Sequence, residues 1–299
     1  MIFISVVICT YNREKYLPVC LEYLKNQSAQ KDSYEIVIIN NNSTDSTDKI
    51  CQNFISSNIE MNVTYAIEFN SGLSHARNKG IELSKGEIIC FIDDDGFAVP
   101  NYISIVKSYA LNPKFEDFIA FGGKVIPCYN EGNEPLWLSQ YIEGVVSKVD
   151  LGDQVKAFDK KYPAGCNMIF RKTFFEKCGG FNTDLHTRGD DKFVFDKLKK
   201  AGLKILYIPE LSVNHFIDDY RLEKSFVINL SKIIGQSETI RLKNHNLLLF
   251  IKILEYVLKL FIAFIIAINF CFKCQFSKAK YIVLVRYYVL EGFFLKQKL

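Results

Sequence analysis

No GxGxxG follows the first apolar run of the chain, so the glycine-rich turn that a dinucleotide-dependent oxidoreductase needs there is missing. No second pair of Cys or His stands near Cys271 and Cys274, which have CxxC spacing, and a structural zinc site needs four ligands. The nine cysteines form no regular framework. Many of them, such as Cys9, Cys90 and Cys271, sit inside apolar runs, where a thiol behaves as a small hydrophobe in a reducing compartment. Internal repeats and low-complexity segments are absent. The opening MIFISVVICT carries no basic segment and runs into the polar TYNRE, which reads as a strand and not a signal peptide.

What is present is globular composition tilted toward the apolar, which excludes disorder. Of 299 residues, 49% are hydrophobic, 14% aromatic and 23% charged. The net charge of +4 hides an asymmetry: residues 241–299 hold ten Lys or Arg against two Glu, so the first 240 residues are net acidic. A basic tail points to nucleic acid or to anionic lipid, and the apolar runs interleaved with its charges favour lipid and speak against nucleic acid.

Over residues 1–125, apolar β-branched runs at Ile2–Cys9, Glu35–Ile39, Val63–Ile67 and Glu87–Ile92 alternate with stretches of helical spacing. That alternation predicts a mostly parallel sheet with helices on both faces and a ligand at the carboxyl ends of the strands. Each predicted strand end is polar: Thr10-Tyr11-Asn12-Arg13, Asn40-Asn41-Asn42-Ser43, Asn70-Ser71-Gly72 and Asp93-Asp94-Asp95. Ser43, Ser46 and Ser74 read as helix caps. Residues 126–240 are less regular, with a short strand expected at Met168–Phe170, a helix at about Lys192–Ala201 and a strand at Lys204–Pro209, and they are expected to extend the first sheet.

In the tail, Lys252, Glu255 and Lys259 fall on one helix face. Beyond them Leu260–Phe272 carries no charge over thirteen residues, fewer than the roughly 20 of a spanning helix. The expectation is a helix lying in a membrane interface, with Lys273, Lys278, Lys280 and Arg286 toward anionic headgroups.

Three constellations carry candidate chemistry. Asp93-Asp94-Asp95 stands at a strand end, so alternation turns Asp93 and Asp95 to one side and Asp94 to the other, and the converging pair suits a hard divalent cation. Asp190-Asp191 opens a helix, where either carboxylate could cap the helix or act as a general base. His215 lies in ELSVNHF; near two Asp ligands its imidazole would move the preference toward Mn²⁺.

The series SVVICTYNRE, IINNNSTDST, NSGLSHARNKGI, FIDDDGFAVP, GCNMIFRKTFFEKCGGF and GDDKFVFDKLKKAG resembles, in order, family 2 glycosyltransferases of the GT-A fold over about Ser5 to His215. The resemblance implies an α/β, Rossmann-like mixed sheet flanked by helices over residues 1–240, followed by a helical membrane-associating tail over 241–299. It implies inverting transfer of a sugar from a nucleoside-diphosphate sugar, a UDP-sugar being favoured, to an acceptor hydroxyl. The acceptor would be a lipid-linked glycan of surface-polysaccharide assembly, or a polyprenyl phosphate; a noncatalytic nucleotide-sugar binding subunit is the other reading. Asp93 and Asp95, with His215, would hold Mn²⁺ or Mg²⁺. Thr10, Tyr11, Asn12, Arg13, Asn40, Asn41, Asn70, Gly72, Arg77, Asp94, Gly165 and Asn167 would line the donor site. Asp191, or its neighbour Asp190, would be the base. Gly96 would leave room for the cation and the diphosphate. The enzyme would work in the cytoplasm, on the inner face of the membrane.

Overall fold

Burial on both faces explains why the first strands read as continuous apolar runs. In β1 (Ile4–Thr10), Ile4, Val6 and Ile8 enter one core while Val7 enters the other, and in β2 (Tyr34–Asn40) Ile36 and Ile38 oppose Val37 and Ile39 in the same way. The computed structural model describes residues 2–130, 132–159, 161–185 and 188–295.

The chain divides into two units, one of residues 1–127, 148–186 and 190–216, the other of 128–147, 187–189 and 217–299. In the first, α1 (Leu17–Lys25) and α2 (Thr47–Ser57) alternate with β1, β2 and β3 (Val63–Ile67). Helix α3 (Leu73–Leu83) then leads to β4 (Ile88–Phe91) and the short β5 (Gly96–Ala98). Next come α4 (Tyr102–Ala110), β6 (Phe118–Gly122), β7 (Val125–Tyr129), the two-residue β8 (Lys156–Ala157) and β9 (Met168–Arg171). Helices α5 (Thr173–Cys178) and α6 (Asp190–Lys200), then β10 (Lys204–Tyr207) and β11 (Val213–Ile217), follow.

Eight strands form one sheet in the order β3-β2-β1-β4-β9-β6-β10-β8. The β3-β2-β1-β4 half is parallel, whereas β9 runs antiparallel to both β4 and β6, so the sheet is mixed as expected and the later residues extend it. Helix α3 lies so close to the sheet that a Cβ on Gly80 would fall 2.3 Å from Val7 Cγ1. A second sheet, β5-β11-β7, has no counterpart in the sequence reading.

The predicted continuation of β4 through the acidic triplet is not observed. The strand stops at Phe91, and Asp93–Asp95 form a turn closed by the Gly96 N–H donating to the Asp93 carbonyl at 2.8 Å. Strand alternation therefore does not orient these carboxylates; the turn does. Nor does Gly96 leave space for a ligand: a Cβ there would lie 3.0 Å from the Asp93 carbonyl oxygen and 3.2 Å from Val213 Cγ1, against β11.

The second unit contains α7 (Asp219–Leu222), α8 (Lys224–Arg241), α9 (Asn246–Phe272) and α10 (Phe276–Gly292) around a core in which Trp137 stacks on Tyr281 at 4.7 Å. Helices α8 and α10 approach closely at glycines, since a Cβ on Gly235 would sit 2.1 Å from the Val289 carbonyl oxygen. Arg286, expected to face headgroups, instead points inward and donates to the Tyr141 carbonyl at 2.7 Å. Among the described residues, no helix is long and apolar enough to cross a membrane.

Candidate active site

Parallel pairing in register sets Thr10 of β1 beside Asn40 of β2, so the loops after both strands emerge at one edge. They interlock there. Asn12, held at φ 52°, donates its N–H to Ser43 Oγ at 3.0 Å and accepts from the Thr44 N–H at 2.8 Å. Asp45, not Ser46, accepts from the Thr47 N–H at the start of α2 (3.0 Å), and Ser74 donates to the Leu185 carbonyl, so neither serine acts as the expected cap.

Arg13 leaves this clamp toward the acidic turn, with Nε 3.2 Å from Asp94 and Nη2 2.7 Å from Asp95. Burial pushes the Asp94 carboxyl up to about 8 against the pull of Arg13, with Asp95 adding to the rise. Asp94 and Asp95 thus share one cationic side chain. Asp95 Oδ1 lies 3.0 Å from His215 Nε2. Antiparallel pairing of β11 with β5 places His215 opposite Gly96, the residue directly after Asp95.

Arg77 comes from α3, only 3% exposed, and joins the remaining acids. Its guanidinium pairs with Asp190 at the first turn of α6, reaches Asp93 at 3.3 Å and donates to the Gly165 carbonyl at 3.2 Å. Burial opposes the charge on Arg77, and the Asp190 and Asp93 carboxylates overcome it, holding the guanidinium above its ordinary range. Asp191 also bears on that charge from the next position of α6.

The candidate residues thus fall into two groups. Arg13, Asp94, Asp95 and His215 form one cluster and Arg77, Asp93, Asp190 and Gly165 another, and the two meet at the acidic turn. Three amides expected to touch the donor are instead committed to the fold. Asn40 donates to the Tyr65 hydroxyl and accepts from the Ser43 N–H. Asn41 donates to the Glu68 and Asn70 carbonyls and accepts from the Gly72 N–H, which fixes the turn at Gly72 (φ 128°) ahead of α3. Asn167, fully buried, donates to the Lys124 and Leu211 carbonyls and accepts from the Tyr102 hydroxyl. Thr10 is buried as well, while Tyr11 presents a ring that is 58% exposed, and Asn70 turns its side chain to Glu68.

The cation reading of the site can be tested on the donors themselves. One donor atom each from Asp93, Cys166 and His215 lies within 4.8 Å of the others, a spacing that one ion can bridge. His215 is 2% exposed and its Nδ1 has no hydrogen-bond partner among the described residues, a buried polar atom that calls for one. These three residues therefore fit a divalent ion, while Asp95, expected as a ligand, is not one of the trio and pairs with its His215. Cys166 is the functional candidate that sequence reasoning missed. The signal was its place between Gly165 and Asn167 in the GCN triplet, which apolar surroundings for other cysteines obscured. Burial, with Asp93 and Asp95 adding, pushes its thiol well above the ordinary range.

A mixed sheet whose central parallel strand runs into an acidic turn faced by a histidine and two arginines defines the GT-A class of glycosyltransferase. Solved structures agree on the fold. The mannosyltransferase PcManGT from Pyrobaculum calidifontis, in complex with GDP-Man and Mn²⁺, superposes with a TM-score of 0.61 at 17% identity over 80% of this chain and 64% of its own. TarS 1-349 of S. aureus, in complex with UDP-GlcNAc, gives 0.56 at 14% identity over 98% of this chain and 89% of its own. Within that class the chain belongs to glycosyl transferase family 2, which residues 5–179 match. It is also 27% identical over 246 residues to the glucosyl-dolichyl phosphate glucuronosyltransferase of Haloferax volcanii, covering 79% of this chain and 76% of that protein.

Proposed function

We propose that this protein is a metal-dependent, inverting glycosyltransferase that moves a sugar from a nucleoside-diphosphate sugar to an acceptor hydroxyl on a lipid-linked glycan at the membrane surface. The observation that carries the reading is Arg77, whose guanidinium ties the acidic turn at Asp93 to the first turn of α6 at Asp190. On this reading the link joins the turn that would bind the diphosphate to the helix that carries Asp191, the assigned base.

Asp93, Asp95 and His215 would hold Mn²⁺ or Mg²⁺, which supplies positive charge to the leaving diphosphate. Arg13, which pairs with Asp95, and Arg77, which pairs with Asp93, would donate guanidinium N–H hydrogen bonds to phosphate oxygens. Because the Asp190 carboxylate is paired with Arg77, Asp191 is assigned the base that takes the acceptor proton, and Asp190 the role of positioning Arg77. Since the amides of Asn40 and Asn41 are committed to the fold, the exposed Tyr11 ring is assigned to stack the nucleobase. The complex of TarS with UDP-GlcNAc favours a UDP-sugar, and the glucosyl-dolichyl phosphate in the name of the Haloferax protein favours a lipid-linked acceptor.

Helix α9 supports the membrane part of the reading. Leu247, Ile251, Leu254, Leu258, Phe261, Ile265, Ile268 and Phe272 are all exposed and recur at spacings of four and three, which lines them along one face. Lys273, Lys278 and Lys280 follow at its end, which suits an anionic interface on the cytoplasmic side. A panel of UDP-, GDP-, dTDP- and CMP-sugars with Mn²⁺ tests the proposal by thermal shift and release of nucleoside diphosphate. A preferred donor should stabilise the fold and be turned over; no shift and no release with any donor would refute it.

A further inference from the structure

Beside the two aspartates and the histidine, the acidic turn faces a thiol. We propose that Cys166 is itself a ligand of this cation site, giving it a mixed oxygen, nitrogen and sulfur donor set that takes thiophilic divalent ions such as Zn²⁺ and Co²⁺ more tightly than Mg²⁺. The inference deepens the reading of Asp93, Asp95 and His215 as the cation site and rests on it.

Backbone register, rather than a side-chain rotamer alone, brings the donors together. Strand β9 runs antiparallel to β4 with Met168 opposite Phe91, so Cys166, two residues before Met168, lies at the same end as Asp93, two residues after Phe91. His215 arrives from the other side through its pairing with Gly96. The resulting trio of donor atoms lies within 4.8 Å.

The loop that carries the thiol is fixed on both sides. A Cβ on Gly165 would lie 2.9 Å from Arg77 Nη2, so the chain passes there against the guanidinium. On the other side, Asn167 is tied to the Lys124 and Leu211 carbonyls at 3.0 and 2.8 Å. A ligand held by a locked loop needs little reorganisation to bind. The His215 Nδ1 atom, buried without a partner among the described residues, is a polar atom that calls for one. A set of two carboxylates and an imidazole suits Mg²⁺ or Mn²⁺, whereas adding a thiolate selects the softer ions. Binding of such an ion releases the thiol proton to solvent.

The test uses the full-length, metal-stripped protein titrated with Co²⁺ in the absence of nucleotide. Wild type should develop a near-ultraviolet sulfur-to-cobalt charge-transfer band that saturates at one ion per chain. The band should persist in a Cys271→Ser/Cys274→Ser variant, which removes the two exposed thiols at the end of α9. In Cys166→Ser the band should disappear and Co²⁺ affinity should fall by about tenfold or more, with Mn²⁺ affinity changed far less. Cys166→Ala provides a second variant, and melting temperatures confirm that both fold.

A band that survives in Cys166→Ser and Cys166→Ala, or a wild type that binds Co²⁺ without any band or fails to bind it, overturns the proposal. His215→Ala and Asp95→Ala separate the two levels of the argument. If they bind Mn²⁺ as wild type does, the cation-site reading itself fails. If they lose Mn²⁺ while Cys166→Ser keeps the band, only the sulfur ligand fails.

Discussion

Replacing Arg77 with methionine removes the charge but keeps much of the volume, and the surroundings of Arg77 set the cost. Its side chain is 3% exposed and that of Asp190 5%, while Asp93, at 36%, retains contact with water. At contact distance and an effective dielectric near 20, a unit-charge pair attracts by about 4 kcal/mol, much of which offsets the desolvation of both groups. What Arg77→Met leaves behind is a buried Asp190 charge with its main partner gone, a defect that costs about 3–5 kcal/mol. Loss of the hydrogen bond to the Gly165 carbonyl adds about 1 kcal/mol. In urea unfolding followed by circular dichroism, with a slope of about 2–3 kcal/mol/M, the midpoint should fall by roughly 1.3–3 M at unchanged slope. Adding Asp190→Asn removes the stranded charge, so the double variant should be more stable than Arg77→Met alone. A midpoint shift below about 0.3 M, or additive losses in the double variant, would refute the reasoning.

The other predictions concern chemistry and surface. Asp191→Asn should lower transfer by about 10²- to 10⁴-fold while leaving donor affinity intact, and wild-type turnover in that variant would sink the base assignment. Stripping the divalent ion with EDTA removes a contact worth roughly 4 kcal/mol, so the transfer rate should drop by about three decades and return with Mn²⁺; unchanged activity would exclude the metal. Phe261→Ser with Ile265→Ser, costing together about 2 kcal/mol of apolar burial, should lower partitioning onto anionic liposomes by about 30-fold, and equal binding in flotation would remove α9 as the contact. Burial alone would raise the Glu255 carboxyl, but hydrogen bonds from Lys252 and Lys259 outweigh it and hold it down at about 2, against an ordinary 4.5. A depressed value means that its stabilisation is complete above about pH 4.5 and fades as pH falls toward 2. The pairs are partly exposed, so Glu255→Gln should remove no more than about 1 kcal/mol at neutral pH and should unfold with a shallower acid limb than wild type.

The parallel half of the sheet was legible because both of its faces are buried, which writes strands as runs such as Ile36–Ile39. The acidic triplet was legible as a cation site for a reason that did not hold. Its carboxylates are aimed by a turn and by β5, three residues too short to show a period. Asn40, Asn41 and Asn167 look the same in sequence whether an amide faces a ligand or closes a loop, and only their partners in space distinguish the two. The same holds for Arg286, whose neighbour Tyr141 lies far away along the chain. Cys166 was passed over because a thiol has no periodic signature, and its place between Gly165 and Asn167 was the one sign it left.

The pairing of β11 with β5 carries a consequence for how the protein reaches its active form. Asp95 and His215 meet only after the chain between them has been gathered in, a closure whose entropic cost must be met before the contact returns anything. The contact between Asp95 and His215 is thus among the long-range features of its unit, and a contact of that kind repays its closure cost only late. A growing chain released before β11 would own the acidic turn but neither its histidine nor the strand that braces it. If the proposed ion binds, it finds its full set of donors only in a chain that has been made through β11 and has closed the loop.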